Sequence, residues 1–169
     1  MTREGALAIT VAVALVIIGV LIWAWMRRTR RDAGIAAPIG EMPDEATVVA
    51  SFRTLYVATT RHGDPLERLA IAGLDFRSRA DITVTTAGVA LDLTGKPRVF
   101  FSCEIIRDVA QATVTIDRVV ERDGLVRLTW LTADATPVDS YIRPQDASAH
   151  ALADAIRGTL TPSQIGTDA

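Results

Sequence analysis

From Gly5 to Met26 the chain runs 22 residues without a charge, and no other feature restricts its folding so tightly. At 1.5 Å per residue a helix of that length is roughly 33 Å long, enough to cross a bilayer core of about 30 Å. Leu15, Val16, Ile17, Ile18, Val20, Leu21 and Ile22 make it apolar on every face, so it has no wet side with which to lie along a membrane surface. Trp23 and Trp25 stand at its end, where indoles favour the headgroup level, and Arg27, Arg28, Arg30 and Arg31 follow at once. These six residues read as an interface anchor and a cationic stop. Only Arg3 precedes the span, so the positive-inside bias predicts a single-pass plasma-membrane protein with its C-terminal part in the cytoplasm. A cleaved secretory signal fits less well: the apolar stretch is too long, its leading segment is nearly neutral (Arg3 against Glu4), and no small-x-small site precedes the arginines.

The span accounts for a mean hydropathy of +0.26, which is high for a soluble domain. Beyond residue 40 about 129 residues remain, enough for one domain with a core but not comfortably for two. From Glu41 onward there are 13 Lys and Arg against 18 Asp and Glu, a net charge of −5. That balance argues against nucleic acid as a partner and against broad adhesion to anionic lipid. Cys103 is the lone cysteine and can form no internal disulfide.

Residues 27–45 read as basic flank and linker, since Gly34, Pro38, Gly40 and Pro43 fall close together without a period. Residues 46–160 then show period-2 patterns separated by turn residues, as in an antiparallel β domain. The spacing predicts strands over 52–60, 82–86, 89–93, 98–103, 111–121, 125–132 and 138–143, seven in all. Ala87-Gly88 is expected to turn the second into the third, and Asp123-Gly124 the fifth into the sixth. Val126, Leu128 and Trp130 line one face of the sixth strand. After Pro144 the period changes to helical: Ala149, Leu152, Ala153, Ile156 and Leu160 form one apolar stripe, with Asp146 as the expected N-cap and Gly158 near the end. Residues 161–169 read as a disordered tail.

Seven strands followed by one helix resemble the pleckstrin-homology-like (PH-like) fold, a curled sheet or barrel closed by a C-terminal amphipathic helix. In detail Leu-Val-Arg-Leu-Thr-Trp at 125–130, Val-Asp-Ser-Tyr-Ile-Arg at 138–143 and Ala149-His150-Ala151 are similar to actinobacterial single-pass membrane proteins with a bacterial PH-like domain. The resemblance implies the fold of the anchor and most of the domain. It brings no catalytic motif with it, and members are often described as membrane, export or transporter proteins.

No chemistry-bearing constellation stands out. A Cys103 nucleophile would need His62 or His150 beside it in space, and the bland alternative is an inert, buried thiol. Two histidines 88 residues apart and one cysteine offer no metal-ligand spacing, and Gly88, Gly95 and Gly124 suit turns, not a phosphate loop. No cofactor is expected. The one surface candidate is a ligand or headgroup loop made of Arg61, His62, Arg68, Arg77 and Arg79, interleaved with Asp64, Glu67 and Asp75. The resulting expectation is a non-catalytic, membrane-tethered interaction module, with the bilayer and a protein at the membrane as partners and the oligomeric state open. The alternative is an accessory subunit of a transporter or export complex, whose span packs through Ala6, Ala8, Ala12, Ala14 and Gly19.

Overall fold

The computed structural model describes residues 3–32, 34–74, 76–115, 118–119 and 124–160. They fall into two units, one ending at Gly34 and one beginning at Ile35. The first is a single helix, α1 (Arg3–Asp32). Its stretch Ile9–Arg27 is long and apolar enough to cross a membrane, and large side chains from Leu7 to Trp25 are exposed all along it. A helix suits such a stretch because it satisfies every backbone polar group internally. Trp23 stacks under the Arg27 guanidinium, 5.5 Å from the ring centre, so the aromatic anchor and the cationic stop touch. The backbone of Arg28, Arg30 and Arg31 continues α1, which therefore runs into what the glycines and prolines had marked as linker.

The second unit contains β1 (Val48–Arg61), β2 (Asp64–Arg68), β3 (Ser78–Thr85), β4 (Gly88–Leu93), β5 (Val99–Ser102), β6 (Ile106–Ala112), β7 (Val114–Thr115), β8 (Arg118–Val119), β9 (Leu125–Leu131), β10 (Pro137–Pro144) and α2 (Ala149–Arg157). Its main sheet has eight strands, not seven, in the order β5-β4-β3-β1-β10-β9-β6, with β2 attached to β1; β7 and β8 form a separate ladder. Every strand pair is antiparallel. The extra strand is β2, which the sequence disguises as a charged loop: it is short, carries Pro65 and presents Asp64, Glu67 and Arg68. Gly63, at φ 76°, makes the turn that folds it back on β1.

The expected barrel is not closed either, because β5 and β6 stay unpaired with each other. Residues 36–40 lie along β5 instead. Phe100 N donates to Pro38 O at 2.8 Å, Gly40 N to Arg98 O at 3.2 Å, and Ala37 is buried in the core. At the other end, Arg157 on α2 donates through Nε to Val109 O of β6 at 2.9 Å. Both edges are thus partly satisfied by neighbours other than strands, which removes the drive to close.

The fifth strand lies earlier than its alternation suggested. A bulge between Ile106 and Asp108 breaks the period, so Ile106 and Val109, three apart, both face the core. Register then joins Ala112 to Leu125, and residues 113–124 rather than a two-residue turn connect β6 to β9; Asp123 of the expected turn lies outside the described residues, as does the 161–169 tail. Thr85 pairs with Gly88, so Thr86-Ala87 makes the β3–β4 turn and Gly88 begins β4. The cap of α2 is Ser148, whose side chain accepts from Ala151 N, while Asp146 binds the backbone of Arg53.

The core lies between the sheet and α2, whose Ala149, Leu152, Ala153 and Ile156 are buried as the stripe requires. Trp130 is fully buried and packs against Phe101 with ring centres 5.2 Å apart. Trp130→Ala is expected to cost roughly 3–5 kcal/mol through the cavity it leaves, measured by chemical denaturation. At Gly88, φ is 150° and an added Cβ would stand 2.1 Å from Phe101 O, prising β4 from β5. Gly88→Ala should therefore cost about 3 kcal/mol, whereas Gly95→Ala, also at positive φ but in open space, should cost only about 1 kcal/mol. Equal melting temperatures for the two variants would contradict this reading.

Candidate functional site

The residues of the expected headgroup loop are spread over β1, β2 and β3 and the segments between them. Arg61 is the last residue of β1 and its Nε holds Glu67 at 2.8 Å, which neutralises it locally. Arg68 closes β2, Arg77 is exposed ahead of β3, and Arg79 lies on β3 with an exposed side chain. His62 turns away from the arginines, toward a carboxylate on β10.

That carboxylate belongs to Asp139, whose side chain is 2% exposed. A buried charge is costly unless its lone pairs are filled, and here three donors fill them. His62 Nδ1 donates to Oδ1 at 2.9 Å, Thr129 Oγ1 donates to the same oxygen at 2.7 Å, and Gly63 N approaches Oδ2 at 3.4 Å. The strands place these groups by alternation. On β10, Val138, Ser140 and Ile142 face the core, so Asp139 and Tyr141 take the opposite side. On β9 the Val126, Leu128 and Trp130 face leaves Arg127 and Thr129 opposite. Register sets Asp139 against Thr129 and Tyr141 against Arg127.

Around this latch a second apolar cluster packs on the outer face, made of Val57, Ala58, Leu125 and Tyr141 with Ala112. Burial pushes the Tyr141 phenol above its usual range, and the neighbouring Asp139 charge adds to the shift. Arg127 reaches Asp108 at 2.8 Å, and its Nε is buried without a hydrogen-bond partner. Chemically the arrangement fixes one histidine nitrogen as a donor and leaves the other for solvent. The side chain of His62 is 45% exposed, so its visible effect is to pin the β1–β2 turn to β10.

Asp139, Thr129, Arg127 and Tyr141 escaped the sequence analysis. The available signal was alternation itself: polar residues at every second position of two adjacent strands, opposite an already recognised apolar face.

The other candidates stay apart. Cys103 follows β5 half-buried, with its Sγ 3.6 Å from Thr159 O and 3.9 Å from Thr86 O. His150 pairs with Asp154 at 2.7 Å on the surface of α2, and His62 is committed to Asp139, so each histidine already has a carboxylate. Among the described residues no three His, Cys, Asp or Glu side chains are grouped to hold a metal.

Comparison with known proteins places these features in a wider context. A family model described as "Bacterial PH domain-like" matches residues 19–157, from the second half of the apolar run to the end of α2. Among solved structures, the crystal structure of the C-terminal domain of an unknown protein from Leishmania infantum is similar at 10% identity, with a TM-score of 0.43, over 83% of this chain and 99% of that one. No curated protein matches.

Burial pushes the Cys103 thiol above its usual range, so at pH 8 less of it is thiolate than of a free thiol. Iodoacetamide should accordingly modify Cys103 more slowly than glutathione at pH 8, with the rise in rate displaced to higher pH. A pH–rate profile coinciding with that of glutathione would overturn the assignment of an unactivated thiol.

Proposed function

Because the chain belongs to the bacterial PH domain-like family, we propose that it is a membrane-anchored, non-catalytic interaction module. In this reading α1 spans the plasma membrane and the sheet works on the cytoplasmic side, as the four arginines after the span favour. The observation that carries the proposal is that one chain carries both a long apolar helix and a PH-like sheet. A span of this kind tethers the domain to the membrane and raises its effective concentration for partners already there. The two histidines and Cys103 each bond to different groups, so they do not form a nucleophile–base pair with one another in this structure.

Strand β6 is the natural place for a protein partner. Its one strand neighbour among the described residues is β9, and the outward carbonyl of Val109 is met by an arginine side chain that an incoming strand can displace. An extended peptide added here would lie beside α2, while the β5 edge is closed to it by residues 36–40.

The experiment replaces exposed Arg107 on β6 with a photo-crosslinking amino acid, and exposed Asp81 on β3 as the control, in the full chain in native membranes. The same partner should crosslink at 107 and not at 81, and should still do so when residues 5–26 are exchanged for an unrelated apolar helix. Loss of the crosslink on that exchange would move recognition into the span and favour a subunit of a larger membrane complex. Release of the chain by alkaline carbonate would overturn the anchoring itself.

A further inference from the structure

A second feature lies well away from β6. A groove of about 440 Å³ opens on the sheet where β1 is paired on both flanks, and it is lined by Arg53, Leu55, Arg79, Asp81, Thr94 and Gln145, among others. Leu55 is the register partner of Arg79 on β3 and of Arg143 on β10, so Arg79, which lines the groove, and Arg143, which stands beside it, share the Leu55 face of the sheet. With strands about 4.8 Å apart, their Cα atoms are about 10 Å apart across Leu55. Both side chains are exposed, and among the described residues neither forms an ion pair with a carboxylate.

Arg77 and Arg107 are likewise exposed, but neither is a register partner of Leu55, so the pairing of two such arginines across one residue is what marks this face. Arg53, Arg61, Arg98, Arg127 and Arg157 each hold a carboxylate. Acids outnumber bases by 18 to 13 from Glu41 onward, so partners for Arg79 and Arg143 were not scarce. Two cations set across one residue repel each other, and an anion lying between them removes that repulsion.

The remaining groups shape what such an anion can be. Arg53 adds a third guanidinium at the groove wall, held in place because its backbone N and its Nε both donate to Asp146. The Asp146 carboxyl is kept below its usual range chiefly by that backbone N–H, so it stays ionised as the Arg53 partner. Asp81, opposite Arg53 in the register, is the one carboxylate among the residues lining the groove. The Thr94 hydroxyl and the Gln145 amide supply neutral donors; both now make long bonds of 3.3 Å to backbone carbonyls.

We propose that this groove binds a phosphate group, with Arg79 and Arg143 closing on it from the two sides of Leu55. A phosphate suits two guanidinium forks approaching from opposite directions better than a carboxylate does, because it offers more acceptor oxygens and more charge. Phosphate of this kind is carried by a lipid headgroup or by a soluble phosphate ester. The proposal stands whether or not α1 spans a membrane.

The test uses the full chain, isotope-labelled, in zwitterionic micelles. Inorganic phosphate is titrated at constant ionic strength against chloride. The amides of Leu55, Arg79, Thr94 and Gln145 should shift saturably, and apparent affinity should fall about tenfold in Arg79→Gln and in Arg143→Gln. Arg107→Gln, which removes an exposed arginine elsewhere, should respond as the unmodified chain does, and an unmoved Trp130 indole signal certifies that each variant is folded. A second arm compares nanodiscs of phosphatidylcholine alone with nanodiscs containing phosphatidic acid, without free phosphate. Movement of the same amides with phosphatidic acid identifies a lipid phosphate, and movement with inorganic phosphate alone a soluble one. Non-saturating shifts in the first arm with no response in the second would overturn the site, as would full affinity in both arginine variants.

Discussion

A single chain of hydrogen bonds ties the interior of the domain together. Trp130 Nε1 meets Ser140 Oγ at 2.9 Å, Ser140 meets Thr59 at 2.7 Å, Thr59 meets the Tyr56 hydroxyl at 2.8 Å, and Tyr56 meets Leu74 O at 2.8 Å. Its ends fix its direction. An indole can only donate and a carbonyl can only accept, so the Tyr56 proton goes to Leu74 O, the Thr59 proton to Tyr56 and the Ser140 proton to Thr59. Every hydroxyl proton is then used once, with none left over in a site where an unmade bond is costly. The chain links β9, β10 and β1 to the segment ahead of β3, which is how a long connection is held against the core without a regular strand.

Strand β1 is what allows this linkage. It is 14 residues long, and its first part pairs with β3 while its second pairs with β10. Residues 54–56 pair on both sides, and a bulge between Tyr56 and Ala58 shifts the register where one partner gives way to the other. Buried threonines at 54, 59 and 60 fit such a strand, since each fills space like valine yet carries a hydroxyl. Thr54 uses its hydroxyl on Ala80 O at 2.9 Å and Thr59 on the interior chain. A strand of plain valine and isoleucine would pack as well but would take away the Thr59 oxygen that accepts the Ser140 proton.

The parts of this fold that were legible in the sequence are those whose side chains obey one period. The apolar run, the 82–93 hairpin, the Val126, Leu128 and Trp130 face and the α2 stripe each repeat every two or every 3.6 residues, and each is found where that spacing puts it. The parts that were missed break a period or depend on residues far away. The β6 bulge puts two core residues three apart, so alternation pointed too late in the chain. Strand β2 owes its place to β1 rather than to its own polar sequence, and residues 36–40, short and rich in glycine and proline, order only because β5 offers them free backbone groups. Asp139 is the clearest loss in the candidate site. An aspartate in a strand reads as solvent-facing, and its burial follows from His62, Gly63 and Thr129 converging from two other segments.

That convergence also limits where recognition can occur. A buried carboxylate with a histidine, a hydroxyl and a backbone amide on it is a poor source of net stability, because desolvation offsets most of the attraction, but it strongly favours one arrangement of the groups around it. The β1–β2 turn is held in that arrangement, and residues 36–40 are held likewise by β5. Segments fixed in this way present fixed surfaces, and their backbone groups are largely spent. Among the described residues, the two surfaces proposed for recognition differ in kind: backbone along β6, where a side chain stands in for a strand, and cationic side chains flanking Leu55. The first offers backbone bonds and suits an extended chain, whereas the second offers charge and suits a compact anion. The two proposed surfaces lie apart on one scaffold, since β1 and β3 carry most of the groove while β6 lies three strands beyond β1 in the sheet.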